Sequence, residues 1–249
     1  MSLHLEILRP QAAALFEVLG RSPELEGLTL IGGTALALQI GHRISLDFDF
    51  ATFGDALPTG RIERLIGRLK AQGHTAQLIT SPDAISRFKI NTGRRLLDYV
   101  RDYVIDGVKV TFFAHGKNEP QRAFYRATPK VQEPGVGFDL LGLEGQKVAK
   151  TLVLADRVRA RDLYDLMILV RDHGYTVAQM VEVVRTLGTV DDPEAYKAIL
   201  RGEIPLDEDD EGLEPVAVDA GPDTLYAFFD AAIAAYEVDT ARRFFSGES

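Results

Sequence analysis

The stretch Leu28–Phe50, LTLIGGTALALQIGHRISLDFDF, separates into three parts by residue type alone. LTLI is an apolar run of strand length, and Gly32-Gly33 marks a turn. Thr34 to Ile40 reads as a short helix stopped by Gly41, and Ser45 to Ala51 as a second strand. Strand side chains alternate between faces, so Asp47 and Asp49 share one face while Phe48 and Phe50 point into a core. The two Asp Cα atoms then lie only ~6–7 Å apart, close enough for both carboxylates to hold one divalent ion. Asp is depleted in strands, and two on one face repel each other unless a cation sits between them. The Gly32-Gly33-Thr34 turn lets backbone approach an anion and presents N–H groups at a helix start. A phosphate cradle beside a carboxylate pair is what metal-dependent phosphoryl or nucleotidyl transfer requires.

Outward from this stretch the pattern is mixed and then helical. Before it, His4 to Leu19 carries an apolar stripe at helical spacing, with Pro10 as the point where that helix kinks or begins. After it come an amphipathic helix over Arg61–Gln72 and a strand over Thr75–Thr80. Two strands, Leu97–Ile105 and Val108–Phe113, flank Asp106-Gly107, a strong hairpin signal. Ser81–Arg95 is ambiguous and reads as loop with room for a short element, and Ala114–Gly137 reads as a connection. From Leu141 the helical period dominates, with helices at 141–155, 160–173, 176–187, 192–200 and 222–245. The interruption at 202–220, which includes LDEDDEGLEP, has the composition of an exposed acidic loop. The expected fold is α+β: a mixed β-sheet with flanking helices over residues 1–130, then an all-helical C-terminal domain over 138–249.

The composition excludes several classes. There is no cysteine, so neither disulfides nor thiolate metal sites are available. No apolar run approaches the length of a membrane span, and MSLHLEILRP lacks a signal-peptide layout, so a cytoplasmic protein without a membrane partner is expected. The formal net charge of −9 is unevenly spread. Residues 61–130 hold 14 Lys/Arg against 6 Asp/Glu, whereas residues 203–249 hold 2 against 13. The middle of the chain carries a basic excess suited to phosphates or simply to solvent.

A second cluster opens the helical region, GLEGQKVAKTLVLADRVRARDLYDLMIL from Gly142. Lys147 and Lys150 are three apart and share a helix face. Arg161, Asp162 and Asp165 gather on the next helix, whose other side is filled by Leu163, Leu166, Met167 and Leu169. On the residues alone this is either an inter-helix ion pair or a functional ridge.

Taken together, the two blocks resemble the AbiEii/AbiGii toxin branch of the DNA polymerase β-like nucleotidyltransferase superfamily. In that branch a Gly-Gly-Thr-Ala-Leu-Ala-Leu-like run precedes His-Arg-x-Ser-x-Asp-x-Asp-Phe, and here Gly32 to Leu38, His42, Arg43, Ser45, Asp47, Asp49 and Phe50 match it. The second block matches through Lys147 and the Arg161-Asp162-x-x-Asp165-Leu166 pattern. The resemblance implies a nucleotidyltransferase fold and transfer of NMP from an NTP to a hydroxyl of an RNA end, such as a tRNA 3′ terminus, or of a protein. It also implies the toxin half of a toxin–antitoxin pair, with a separate antitoxin as partner. The site residues it implies are Asp47 and Asp49 for Mg²⁺ or Mn²⁺, and Gly32, Gly33 and Thr34 for the β/γ-phosphates. Lys147 would neutralise phosphate charge, with Lys150 and Arg161 beside it. Asp165 and Asp162 would orient Lys147 or assist the nucleophile, and Arg43 either caps the short helix or contacts the nucleotide. The branch point from the wider superfamily is the third acidic residue. Its expected place in VKVTFF is Thr111, with Asp98 and Asp102 on the neighbouring strand as substitutes of open register. The rival readings are a small-molecule nucleotidyltransferase of the antibiotic-modifying type and a degenerate nucleotide-binding module.

Overall fold

Pro10 decides where the first helix begins. Its ring fits the first helical position, where the missing N–H costs nothing, and α1 runs Pro10–Gly20. The preceding residues Leu5–Ile7 form a separate 3₁₀ turn, so the stripe expected over His4–Leu19 is split at the proline. The computed structural model describes residues 3–246, which divide into two units between Gln146 and Lys147.

In the first unit, β1 (Thr29–Ile31), α2 (Gly32–Ile40) and β2 (Asp47–Thr52) reproduce the expected strand–helix–strand, with the helix starting two residues early at Gly32. Then follow α3 (Thr59–Ala71), β3 (Ala76–Leu78), α4 (Pro82–Thr92), β4 (Val100–Ile105) and β5 (Val108–Ala114). The unit is completed by α5 (Glu119–Ala127), β6 (Lys130–Val131) and β7 (Asp139–Leu141). Among the described residues these strands form one seven-stranded sheet in the order β3-β4-β5-β2-β1-β7-β6. It is mixed: β1 runs antiparallel to β2 but parallel to β7, and β2 runs parallel to β5. The architecture is α+β, as expected.

The β4–β5 hairpin turns on Asp106 (φ 47°) and Gly107 (φ 81°), the paired positive φ values that a tight two-residue hairpin needs. The Asp106 carboxylate is gripped by the His74 ring at 2.6 Å and by the Thr75 N–H at 2.8 Å. One face of the sheet is the core. Phe48 and Phe50 are wholly buried there, Phe50 stacks on Phe112 at 5.6 Å between ring centroids, and Phe138 meets Phe50 edge-on. Leu15, Phe16 and Leu19 of α1 and Ile62, Leu65 and Leu69 of α3 belong to the same core. Each such burial is worth ~1.5–3 kcal/mol against exposure. That is why the alternation in β2 can place two carboxylates on the opposite face without loosening the strand.

Two stretches differ from expectation. Ser81–Arg95, read as loop with room for a short element, is mostly α4, which buries no residue and so shows no apolar stripe. Its ends define it: the Ser81 hydroxyl accepts the Ala84 N–H, Pro82 occupies the first turn, and Gly93 closes it with φ 69°. Ala114–Gly137, read as a connection, contains α5, started by an Asn118 cap on the Gln121 N–H, and the edge strand β6. Because β7 hydrogen-bonds to β1, residues 138–146 belong with the sheet. The division therefore falls after Gln146, against the expected limits of 1–130 and 138–249.

The division lies within α6 (Leu143–Val153), and the second unit holds α7 (Ala160–Asp172), α8 (Val177–Leu187), α9 (Pro193–Leu200) and α10 (Pro222–Ser246). This matches the helical pattern to within a few residues. Helix α10 packs on α7, α8 and α9, and Leu163, Leu166, Leu169, Met180, Leu200, Leu225, Phe229 and Ile233 are buried. Among the described residues no helix is long and apolar enough to cross a membrane.

Candidate active site

The site in the first unit is built on a conflict that only glycine resolves. Gly32 ends β1 and opens α2 with φ +74°, a conformation that other residues rarely adopt. A Cβ at this position would also stand 2.9 Å from Asp49 Oδ2. At Gly33 a Cβ would run into the Arg43 guanidinium. The start of α2 is thus bare of side chains, with no side-chain cap from Ile31, and its first-turn N–H groups have no intrahelical partner. Such a terminus favours anions through those N–H groups and the helix dipole. Asp49 pairs in register with Ile31, the last residue before the helix, so the carboxylate and the start of α2 are adjacent.

Thr34 takes a role that its sequence position does not announce. It is buried, and its hydroxyl lies 2.5 Å from Ser45 Oγ while also donating to the Asp47 carbonyl. The side chain is a strut fixing the start of β2, which leaves its backbone N–H as its contribution to the helix terminus. Arg43 is nearly buried, with its guanidinium beside Gly33 and Nη1 donating to the Ile44 carbonyl at 3.0 Å.

Asp47 and Asp49 are half-buried on the face opposite Phe48 and Phe50, as their spacing requires. Strand pairing extends this face across the sheet. Asp47 is in register with Lys109, an exposed cation on β5. Asp49 is in register with Thr111 of β5, and Thr111 with Asp102 of β4. Paired residues of adjacent strands share a face, so Asp49, Thr111 and Asp102 form one row over three strands. The Thr111 hydroxyl donates to Asp102 Oδ1 at 3.0 Å, and the Asp102 N–H donates to the Thr80 hydroxyl at 2.8 Å. The open register is thereby resolved: Asp102 lies in the row, whereas Asp98 lies in a 3₁₀ turn before β4. Among the described residues no set of three or more His, Cys, Asp or Glu is gathered as a metal cluster. The all-oxygen Asp47/Asp49 pair suits a hard cation of the Mg²⁺ kind, which commonly takes one or two carboxylates and completes its shell with water and substrate phosphates.

In the second unit the expected cluster forms around a different lysine. Lys150 Nζ lies 2.7 Å from Asp162 Oδ1 and 2.6 Å from Asp165 Oδ2, and Arg157 Nε lies 3.0 Å from Asp162 Oδ2. Lys150, Asp162 and Asp165 are all nearly inaccessible. Burial alone would push the Asp162 carboxyl up, but the Lys150 ammonium and then the Arg157 guanidinium outweigh it, leaving Asp162 below the ordinary carboxylate range. The resemblance paired these acids with Lys147. The structure places Lys150 between them, and Lys147 Nζ 5.7 Å from the centre of the Tyr175 ring. The sequence contained the signal, since Lys150 is as well spaced from Asp162 as Lys147 is, but helix packing decides which ammonium arrives.

The stretch expected to be an exposed acidic loop is tied down at the start of α7. Asp207 accepts the Val158 N–H at 3.2 Å, Asp210 accepts the Ala160 N–H at 3.3 Å, and Asp209 pairs with Arg159 at 2.6 Å. Arg161 lies 3.8 Å from Glu211. These acids complement the positive end of a helix and two neighbouring guanidiniums, which periodicity could not reveal.

The chain is similar to several known proteins. A curated relative, an uncharacterized protein from Aquifex aeolicus, is 30% identical over 161 residues, which is 63% of this chain and 64% of that protein's length. The chain is also similar to the crystal structure of a candidate nucleotidyltransferase from H. pylori, at 17% identity over 90% of this chain and 94% of that one, with a TM-score of 0.49. A third likeness is to MenT4, a nucleotidyltransferase toxin from Mycobacterium tuberculosis, at 15% identity over 89% of this chain and 86% of that one, with a TM-score of 0.45. The family model described as nucleotidyl transferase AbiEii toxin, type IV toxin–antitoxin system, matches residues 13–243, which include both the Gly32–Asp49 block and the Lys147–Asp165 block. The chain therefore belongs to the AbiEii family of nucleotidyltransferase toxins.

Proposed function

We propose that this chain transfers a nucleoside monophosphate from an NTP to the terminal hydroxyl of an RNA, with a tRNA 3′ end as the acceptor class, and that it acts as a toxin restrained by a separate antitoxin. The observation that carries the reading is the glycine turn, which brings the uncapped start of α2 against Asp49 with no room for a Cβ. Such a turn places anion-binding N–H groups and a cation-binding carboxylate pair side by side, as a triphosphate with its counter-ion requires.

Asp47 and Asp49 would hold a Mg²⁺ or Mn²⁺ ion, which when bound supplies charge neutralisation at the phosphates and at the departing pyrophosphate. The remaining work falls to the chain's own groups. The first N–H groups of α2 bind phosphate oxygens, and Thr34, through Ser45 and the Asp47 carbonyl, keeps β2 fixed against that end. Arg43 shapes the turn from beside Gly33 and presents its charge to the nucleotide. Lys147 is the phosphate-neutralising cation implied by the family, and Arg161 is a second. Lys150 and Arg157 together offset the charges of Asp162 and Asp165, and the cluster serves as the buried frame that positions α6 against α7.

The test is incubation of the protein with each labelled NTP and Mg²⁺, in the presence of total tRNA, of bulk protein or of aminoglycosides. Label on RNA that disappears with Asp49→Asn supports the reading. Label on protein moves the acceptor to a protein hydroxyl, and label on the drug with none on RNA sinks the toxin reading.

A further inference from the structure

The transfer reaction must remove a proton from the attacking hydroxyl, and Asp47 and Asp49 are committed to the cation in the reading above. We propose that Thr111 and Asp102 form the proton-accepting relay for the acceptor hydroxyl. The inference rests on that reading and on one geometric fact, the row Asp49–Thr111–Asp102 across β2, β5 and β4.

Adjacent strands are ~4.8 Å apart, so Asp102 lies two spacings, ~9–10 Å, from Asp49 along the sheet. That is too far to join Asp47 and Asp49 around one ion, consistent with no three-acid cluster among the described residues. Thr111 stands midway. The nucleotide's α-phosphorus is held over the Asp47/Asp49 end, and an attacking oxygen must come within ~3–3.5 Å of it. Such an oxygen approaching from the β5 side lies over Thr111.

The hydroxyl at Thr111 is already oriented for this. Its single proton is donated to Asp102 Oδ1 at 3.0 Å, which leaves its two oxygen lone pairs as acceptors. Asp102 is itself held by its backbone N–H on the Thr80 hydroxyl at 2.8 Å, on a strand where Asp is otherwise disfavoured. The step balances. The acceptor oxygen forms its bond to the α-phosphorus while its proton passes to Thr111 Oγ. The Thr111 proton passes to Asp102, and the bond from the α-phosphorus to the bridging oxygen breaks as pyrophosphate leaves. Thr111 touches the substrate, and Asp102 acts through it.

The experiment uses the full chain with labelled NTP and tRNA, with single-turnover rates measured across pH and NTP·Mg²⁺ affinity measured by calorimetry. Asp102→Asn is expected to lower the transfer rate ~10²-fold or more while NTP affinity stays within two-fold. Thr111→Val is expected to show the same loss, the double variant no further loss, and Thr111→Ser to recover most of it. Transfer by Asp102→Asn within two-fold of wild type, or additive losses in the double variant, overturns the relay and leaves the proposed function standing. Absence of transfer by wild type to any hydroxyl acceptor overturns both.

Discussion

A Cβ at residue 32 would stand 2.9 Å from Asp49 Oδ2, so the turn that opens α2 and the carboxylate of β2 occupy space that one more carbon would take. Gly32→Ala also forces an L-residue to φ +74°, a left-handed conformation that costs ~1–2 kcal/mol. The expected outcome is a modest loss in thermal stability with a disproportionate loss of nucleotide binding, because the Asp49 side chain must swing away. Full NTP affinity in a folded Gly32→Ala protein would show that the close approach is incidental.

Asp49→Asn keeps the shape of the side chain and removes its charge. Titration of a non-hydrolysable NTP with and without Mg²⁺ should lose its metal dependence in this variant, while the variant's melting temperature stays close to that of wild type. A metal dependence unchanged by the substitution would place the cation elsewhere.

Lys150 holds two buried carboxylates at 2.7 and 2.6 Å, and removing it takes from the pair the ammonium they share while Arg157 still reaches Asp162. Lys150→Met is therefore expected to destabilise the protein by ~3–5 kcal/mol in urea unfolding. Lys147→Met, which spares that pair of contacts, should cost clearly less stability and more activity. Equal destabilisation by the two would refute the division of labour between frame and phosphate cation.

The depressed Asp162 carboxyl sets a pH dependence with a defined sign. Its folded-state affinity for protons is lower than in the unfolded chain. The stabilisation is therefore fully present above the ordinary carboxylate range, ~pH 4, and is lost as pH falls through the folded value below it. Unfolding free energy measured from pH 6 downward should drop most steeply below ~pH 4. Asp162→Asn should flatten that drop, and an identical slope in the variant would assign the acid sensitivity to other groups.

The opening strand–turn–helix–strand was legible from residues alone because every feature of it is local. Alternation places Asp47 and Asp49 together, and an apolar run beside two glycines marks the strand and the turn. The C-terminal helices were legible for the same reason, since their periodic stripes match faces buried in the second unit. Helix α4 was not, because a helix that buries nothing leaves no period to read and is declared only by its Ser81 and Gly93 ends. Strand β7 was hidden too: three residues gain their identity by pairing with β1, more than a hundred positions earlier.

Residue chemistry by itself thus determined that this protein carries a carboxylate pair on one strand face and a glycine turn that opens a helix beside it. It also determined that a helical region bearing lysines and an Arg-Asp-x-x-Asp run follows. Only the tertiary structure decided which of those groups meet. Strand register put Asp102, and not Asp98, in line with Thr111 and Asp49, because one residue of slip would move every side chain to the other face. Helix packing put Lys150 between Asp162 and Asp165, a pairing across two helices that spacing along the chain does not specify. Spacing along a chain fixes faces, but partners across strands and helices are chosen by the packing of everything between them.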